Sequence, residues 1–154
     1  MKNKTIVELL TTKQLTIAAA ESCTGGDFIA SIIRVPGASA VVNASFVTYA
    51  NEAKIKYANV EPDILSKEGA VSQATALAMA KGVASQASAS VGVGITGVAG
   101  PLGGSVEKPV GTVWIGVHYL GQTNAQRFVF AGDRSAIQTQ AVDAASDMVL
   151  EAIS

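Results

Sequence analysis

Three short segments of this chain set hydroxyl, amine and glycine groups where acyl-transfer or anion chemistry can be done. The first is Ala20-Glu21-Ser22-Cys23-Thr24-Gly25-Gly26. An apolar run, Leu15 to Ala20, precedes it, and a run that reads as helical, Phe28 to Ile33, follows. Ser22 therefore sits in a sharp strand-to-helix turn, beside glycines that let backbone or ligand come close. A hydroxyl can be exposed and activated in such a turn, and an anion can be held there. The same spacing also fits a plain helix cap made by Ser22 or Thr24.

The second segment is Val47-Thr48-Tyr49-Ala50-Asn51-Glu52-Ala53-Lys54. Tyr49 and Asn51 fall at a strand end, where the ligand sites of α/β sheets collect. Lys54 lies a turn further on and can point back toward that end. A lysine desolvated beside a serine loses part of its preference for the charged form. It can then be the general base that a serine hydroxyl needs. A solvated surface lysine and a rim tyrosine fit the spacing as well.

The third segment runs from Gly94 through Thr96, Gly97, Gly100, Pro101, Gly103 and Gly104 to Ser105, then Lys108-Pro109-Val110-Gly111-Thr112. It leaves a buried strand, and its glycines free backbone amides to surround anionic oxygens, with Lys108 as a point charge. It lacks the Gly-Lys-Ser/Thr ending of a phosphate loop, and a strand follows where a helix would be needed. An ordinary flexible loop is the competing interpretation. In Phe130-Ala131-Gly132-Asp133-Arg134, Asp133 reads as a helix N-cap, and Arg134 is placed to clamp a phosphate or carboxylate. Cys23 at a helix N-terminus would have a depressed pKa, yet with no histidine nearby in sequence it reads as a small packing residue. His118, alone within a strand, reads as structural. Trp114 reads as a core or interface aromatic.

The elements that must position these groups follow from periodicity and punctuation. Thr5 to Thr12 reads as a short amphipathic helix and Leu15 to Ala20 as a buried strand. Gly25 to Arg34 reads as a helix ended by Val35-Pro36-Gly37, and Ala44 to Ala50 as a strand. Helical turns are expected at Asn51 to Tyr57 and within Pro62 to Gly69. Ser72 should cap a long helix, Gln73 to about Ala87. Val91 to Thr96 is a second buried strand, β-branched and uncharged. Val110 to Leu120 and Ala125 to Ala131 read as a hairpin around Gly121-Gln122-Thr123-Asn124. Asp133 should cap a last helix carrying Ile137, Ala141, Ala145, Met148 and Ala152 on one face. Strand–helix–strand units favour parallel pairing, and the hairpin adds one antiparallel strand. The expected fold is a three-layer α/β/α sandwich with a mixed, mostly parallel sheet, in a single domain.

The totals narrow the class of function. The chain has 154 residues, 49% of them apolar and 15% charged, which describes a globular domain with a real core. Much of the apolar content is alanine and glycine, pointing to tight packing between elements and to a buried oligomer face. A net charge of −1 gives no electrostatic case for nucleic acid or an anionic membrane. No apolar run approaches the roughly 20 residues of a membrane span, and Thr5 to Leu10 is too short and polar for a signal peptide. One cysteine excludes an internal disulfide, and one histidine argues against a protein-only zinc site. These features lead to the expectation of a cytoplasmic protein.

Taken as an ordered set, the segments are specific. The serine turn, the Val47–Lys54 segment, Gly69-Ala70-Val71-Ser72, Thr96-Gly97-Val98-Ala99-Gly100-Pro101, Gly103-Gly104-Ser105, Lys108-Pro109-Val110-Gly111-Thr112-Val113 and Gly132-Asp133-Arg134 occur in the order and spacing of one family. From about Leu15 to the C-terminus the chain resembles the C-terminal domain of the competence/damage-inducible CinA proteins, the nicotinamide-nucleotide amidases. The resemblance implies an anticodon-binding-domain-like fold. It also implies hydrolysis of the carboxamide of nicotinamide mononucleotide to nicotinic acid mononucleotide and ammonia, with no cofactor and no metal. By the family motif Ser22 would be the nucleophile, with Tyr49 and Lys54 activating it or relaying its proton. Thr24, Gly25 and Gly26 would offer oxyanion amides. Asn51, Thr96, Gly97, Gly100, Gly104, Lys108 and Arg134 would hold the nucleotide. Many members carry arginine at the position of Gln138. The larger CinA architecture has a nucleotide-processing domain in front, so this chain resembles the stand-alone form. The partners implied are a small nucleotide substrate and further copies of the chain.

Overall fold

Small and β-branched residues dominate the sheet, and the reason is visible in how closely the helices approach it. The computed structural model describes residues 1–154. Its elements are α1 (Lys2–Thr12), β1 (Ile17–Glu21), α2 (Asp27–Ile33), β2 (Phe46–Val47), α3 (Asn51–Ala58), α4 (Pro62–Glu68), α5 (Gln73–Gln86), β3 (Val91–Gly97), β4 (Thr112–Tyr119), β5 (Gln122–Val129) and α6 (Arg134–Ile153). The five strands form one sheet in the order β2-β1-β3-β4-β5. β1 is parallel to β2 and β3, and β4 is antiparallel to both β3 and β5, so β4 alone runs against the others. The mixed α/β sheet expected from the sequence is present.

Alternation along β1 divides its side chains between two cores. Ile17 and Ala19 join Ile6, Leu10, Phe28, Ile32, Ile137 and Val149, beneath α1, α2 and α6. Ala18 and Ala20 join Ala58, Met79 and Val83, beneath α3 and α5. α5 lies almost on the backbone of the sheet. A Cβ on Gly94 of β3 would sit 2.8 Å from the Ala76 carbonyl oxygen, and one on its β4 partner Gly116 would sit 2.5 Å from the same atom. Part of the alanine and glycine excess is thus used in packing inside the chain.

The same closeness joins α3 to α5. A Cβ on Gly82 would lie 1.6 Å from the Ala58 carbonyl oxygen, a contact no rotamer can relieve. Gly82→Ala is expected to cost about 3 kcal/mol by overpacking and to weaken activity by displacing α3. Urea unfolding measures this, and an unchanged midpoint would contradict the close crossing.

Several boundaries differ from expectation, each for a local reason. The helix expected from Gly25 begins at Asp27, because Gly25 and Gly26 have φ of +60° and +98°. Its N-cap is Gly26, with no side-chain cap bond, so neither Ser22 nor Thr24 caps it. The Ala44–Ala50 strand shortens to Phe46–Val47, since an edge strand pairs on one side only and the chain then turns into α3. The hairpin turn is Leu120-Gly121, both at positive φ (53° and 74°), so β5 starts at Gln122 and ends at Val129. The expected caps are in place: Ser72 Oγ accepts from Thr75 N at 3.1 Å, and Asp133 Oδ1 from Ala136 N at 2.8 Å. His118 Nδ1 pairs across the hairpin with Thr123 Oγ1 at 2.7 Å, the structural role expected of it.

Candidate active site

Ser22 follows the last residue of β1, and β1's alternation continues through the turn. Glu21 is directed to the α2 side and Ser22 to the α3 side, where Lys54 lies. The connection after β1 leaves through α2 for one face of the sheet, and that after β2 leaves through α3 to α5 for the other, the kind of crevice where α/β sheets bind ligands. A cavity of about 160 Å³ opens there, lined by Ser22, Tyr49, Asn51, Lys54, Thr96 and Arg134 among others. A groove of about 480 Å³ between the hairpin and the end of α6 is larger. Its lining has no serine, cysteine, lysine or histidine, so chemistry and not size assigns the site.

Lys54 is 1% exposed. Its Nζ donates to the carbonyls of Thr48 at 2.8 Å and Tyr49 at 3.0 Å, and lies 3.2 Å from Ser22 Oγ. Those carbonyls belong to the residues just before α3, so the lysine folds back over the start of its own helix. No carboxylate forms an ion pair with it; the ion pairs involve only Lys2 and Lys4. Burial pulls its ammonium below the ordinary value of 10.5. The three acceptors match the three N–H groups of an ammonium. When one proton leaves, two N–H groups remain on the carbonyls and a lone pair faces the serine hydroxyl.

Tyr49 occupies a different place from that of a relay. Its side chain is 62% exposed, and its hydroxyl accepts from Arg134 Nη2 at 3.2 Å. The Lys54–Ser22 contact is direct, and the part of Tyr49 that touches Lys54 is its carbonyl. Arg134 also donates from Nη1 to the Gly100 carbonyl at 2.8 Å, tying the glycine loop to the mouth of the cavity. Thr96 and Gly97 line the cavity, with the Thr96 hydroxyl donating to the Ala70 carbonyl at 2.8 Å.

The remaining candidates lie outside the lining. Gly104 packs within its own loop, where a Cβ would meet Val110 N at 2.8 Å. Lys108 Nζ donates at 3.2 Å to the Glu68 carbonyl that ends α4. Thr24 is buried, and its hydroxyl donates to Glu21 Oε1 at 2.6 Å. Gly25 N is spent on the Ser22 carbonyl at 3.1 Å, whereas the amides of Thr24 and Gly26 donate to nothing in the protein. Cys23 lines the cavity, but burial pushes its thiol up to about 12. It is therefore a packing residue with no thiolate character.

Glu21 is the residue whose role the sequence did not disclose. It is 1% exposed, and its carboxylate accepts from Phe28 N at 2.9 Å and Ile29 N at 3.0 Å, as well as from Thr24. It thus supplies the cap that the Ser22–Gly26 turn lacks. The available signal was a carboxylate closing an uncharged strand with no basic neighbour, which is costly unless hydrogen-bonded. Gln138, on α6, adds a second brace by donating from Nε2 to the Cys23 carbonyl at 3.0 Å.

The fold and site together define a mixed-sheet α/β protein with a serine turn facing a buried lysine. The chain belongs to the CinA C-terminal domain family, whose sequence model matches residues 1–153. It is 46% identical over 137 residues to a putative competence-damage inducible protein of Moorella thermoacetica, covering 89% of this chain and 33% of that one. It is 45% identical over 148 residues to a CinA-like protein of Kosmotoga olearia, covering 96% and 36%. The chain therefore spans about a third of the length of these relatives. Among solved structures, a CinA superfamily protein from Escherichia coli superposes with a TM-score of 0.93 at 35% identity, covering 97% of this chain and 87% of that one. The competence/damage inducible protein CihA from Agrobacterium tumefaciens gives 0.92 at 34% identity, covering 100% and 97%.

Proposed function

We propose that this chain hydrolyses the carboxamide of nicotinamide mononucleotide, releasing nicotinic acid mononucleotide and ammonia. The observation that carries the proposal is the buried Lys54 amine 3.2 Å from Ser22 Oγ, with its other hydrogens committed to two carbonyls. That is the arrangement of a serine nucleophile with a lysine base. Ser22 Oγ attacks the carboxamide carbon while its proton passes to Lys54. The resulting oxyanion is met by free backbone amides of the turn, each well-aimed donor contributing roughly 3 kcal/mol. The C–N bond then breaks, and the nitrogen leaves as ammonia with the proton from Lys54. Water, deprotonated by the same amine, attacks the ester. The acid departs and Ser22 recovers its hydrogen.

A flat carboxamide ring is in keeping with the 160 Å³ cavity, and the ribose phosphate would then meet the Arg134 guanidinium, which also lines it. The test is incubation of the purified chain with nicotinamide mononucleotide, following ammonia and the acid product. Release of both in equal amounts is expected. Saturable binding with no ammonia would overturn the hydrolytic reading in favour of a nucleotide-binding module.

A further inference from the structure

The turn after Ser22 carries two consecutive amides, those of Cys23 and Thr24, that donate to no backbone carbonyl in the protein. Both of their peptide planes are held from the carbonyl side. The Ser22 carbonyl accepts from Gly25 N at 3.1 Å, and the Cys23 carbonyl accepts from Gln138 Nε2 at 3.0 Å. In a trans peptide the C=O and the following N–H point in opposite directions. Pinning the Ser22 carbonyl therefore sends the Cys23 N–H the other way, and pinning the Cys23 carbonyl does the same for the Thr24 N–H.

The two pins differ in origin. The first is local and comes with the turn. The second comes from the second turn of α6, 115 positions along the chain. Cys23 lines the cavity and Gln138 does not. The Cys23 carbonyl is thus drawn toward α6, and the N–H on the far side of that peptide points away from α6, the sense in which Ser22 leaves the sheet to meet Lys54.

We infer that Gln138 is a positioning residue for charge stabilisation at Ser22. By holding the Cys23 carbonyl, it aims the Thr24 N–H at the oxygen that becomes negative when Ser22 is bonded to a tetrahedral centre. This rests on Ser22 being the acyl acceptor of the proposed amidase. Gln138 itself touches no reacting atom. Its contribution is the orientation of one peptide plane, and a preorganised donor of this kind acts because it needs no reorganisation as charge develops. The side chain has to be a hydrogen-bond donor of sufficient reach, so arginine can replace it and methionine, of similar length, cannot.

Pyridine-3-boronic acid is the probe, used with the full chain. The Ser22 oxygen gives a lone pair to the empty boron orbital, an Oγ–B bond forms, and the hydroxyl proton passes to Lys54. The product is a four-coordinate boronate whose oxygens occupy the oxyanion position. Boron NMR should show that species with the wild-type chain. Gln138→Met should weaken the adduct by about tenfold or more, on the scale of one misaimed oxyanion donor, with the thermal midpoint little changed. Gln138→Arg should restore most of the affinity.

Wild-type adduct affinity in Gln138→Met would overturn the inference. So would a loss of affinity in both variants that tracks a fall in thermal midpoint, the mark of a purely structural role. A wild-type chain that forms no four-coordinate species would overturn it too. If the adduct forms and depends on Gln138, but nicotinamide mononucleotide releases no ammonia, the substrate proposal falls while the role of Gln138 stands. Where both hold, Gln138→Met lowers kcat and leaves KM unchanged.

Discussion

Ser22→Ala should lower ammonia release from nicotinamide mononucleotide by about 10⁴-fold or more, the scale seen when a catalytic serine is removed. The fold should not change. Ser22 is held by its backbone, whose N–H donates to the Ile95 carbonyl at 2.9 Å and whose carbonyl closes the turn. Its hydroxyl meets only Lys54. The measurement is steady-state turnover beside a thermal melt. A stable variant with near-normal turnover would remove Ser22 as nucleophile and leave the buried lysine unexplained.

Replacement of Lys54 should be nearly as severe, and it carries a pH signature. Lys54→Ala is expected to lose about 10³-fold or more in kcat/KM at neutral pH, the upper part of the range for a general base. Lys54→Arg should fail equally, because a guanidinium does not give up its proton to become a base. In the native chain kcat/KM should rise with pH as Lys54 loses its proton. Burial lowers its pKa, so the midpoint should fall below the ordinary lysine value of 10.5. The sign for stability is the same. Between the lowered folded value and the unfolded value of 10.5 the unfolded chain binds more protons, so this group makes stability increase with pH through that window. A pH–rate profile that keeps its ascending limb in Lys54→Ala would assign the limb to another group.

What the sequence disclosed about this site, and what it hid, divides along the length of the interactions. Ser22 and Lys54 each had an ordinary alternative, a helix cap and a solvated lysine, and only their ordered company with the other motifs gave them meaning. In the structure neither alternative holds: Gly26 takes the N-cap position, and Lys54 is buried. Ser72 and Asp133 were legible because a cap is satisfied within three residues. The bond from Gln138 to Cys23 was not, since it forms only once α6 has docked.

Glu21 was hidden differently. Its partners Phe28 and Ile29 are near in sequence, but they reach the carboxylate only because two left-handed glycines turn the chain back upon it. Lys108 stood in a suggestive glycine loop, yet it closes the end of α4. In the hairpin, Leu120 adopts a positive φ that leucine seldom takes, so a search for glycine and asparagine set the turn too late.

The capped end of α2 bears on what can compete for this site. The amino end of a helix following a strand is where many nucleotide-binding folds seat a phosphate. Here the occupant is tethered. Glu21 reaches those amides at the effective concentration of an intramolecular group, which dissolved anions do not match. A phosphate mimic added to an inhibitor finds that position filled at every dose. Arg134 is the contrary case: it is exposed, and both its present partners, the Gly100 carbonyl and the Tyr49 hydroxyl, are neutral. Negative charge on a competitive ligand is better directed to the guanidinium at the rim than to the helix end beneath Ser22.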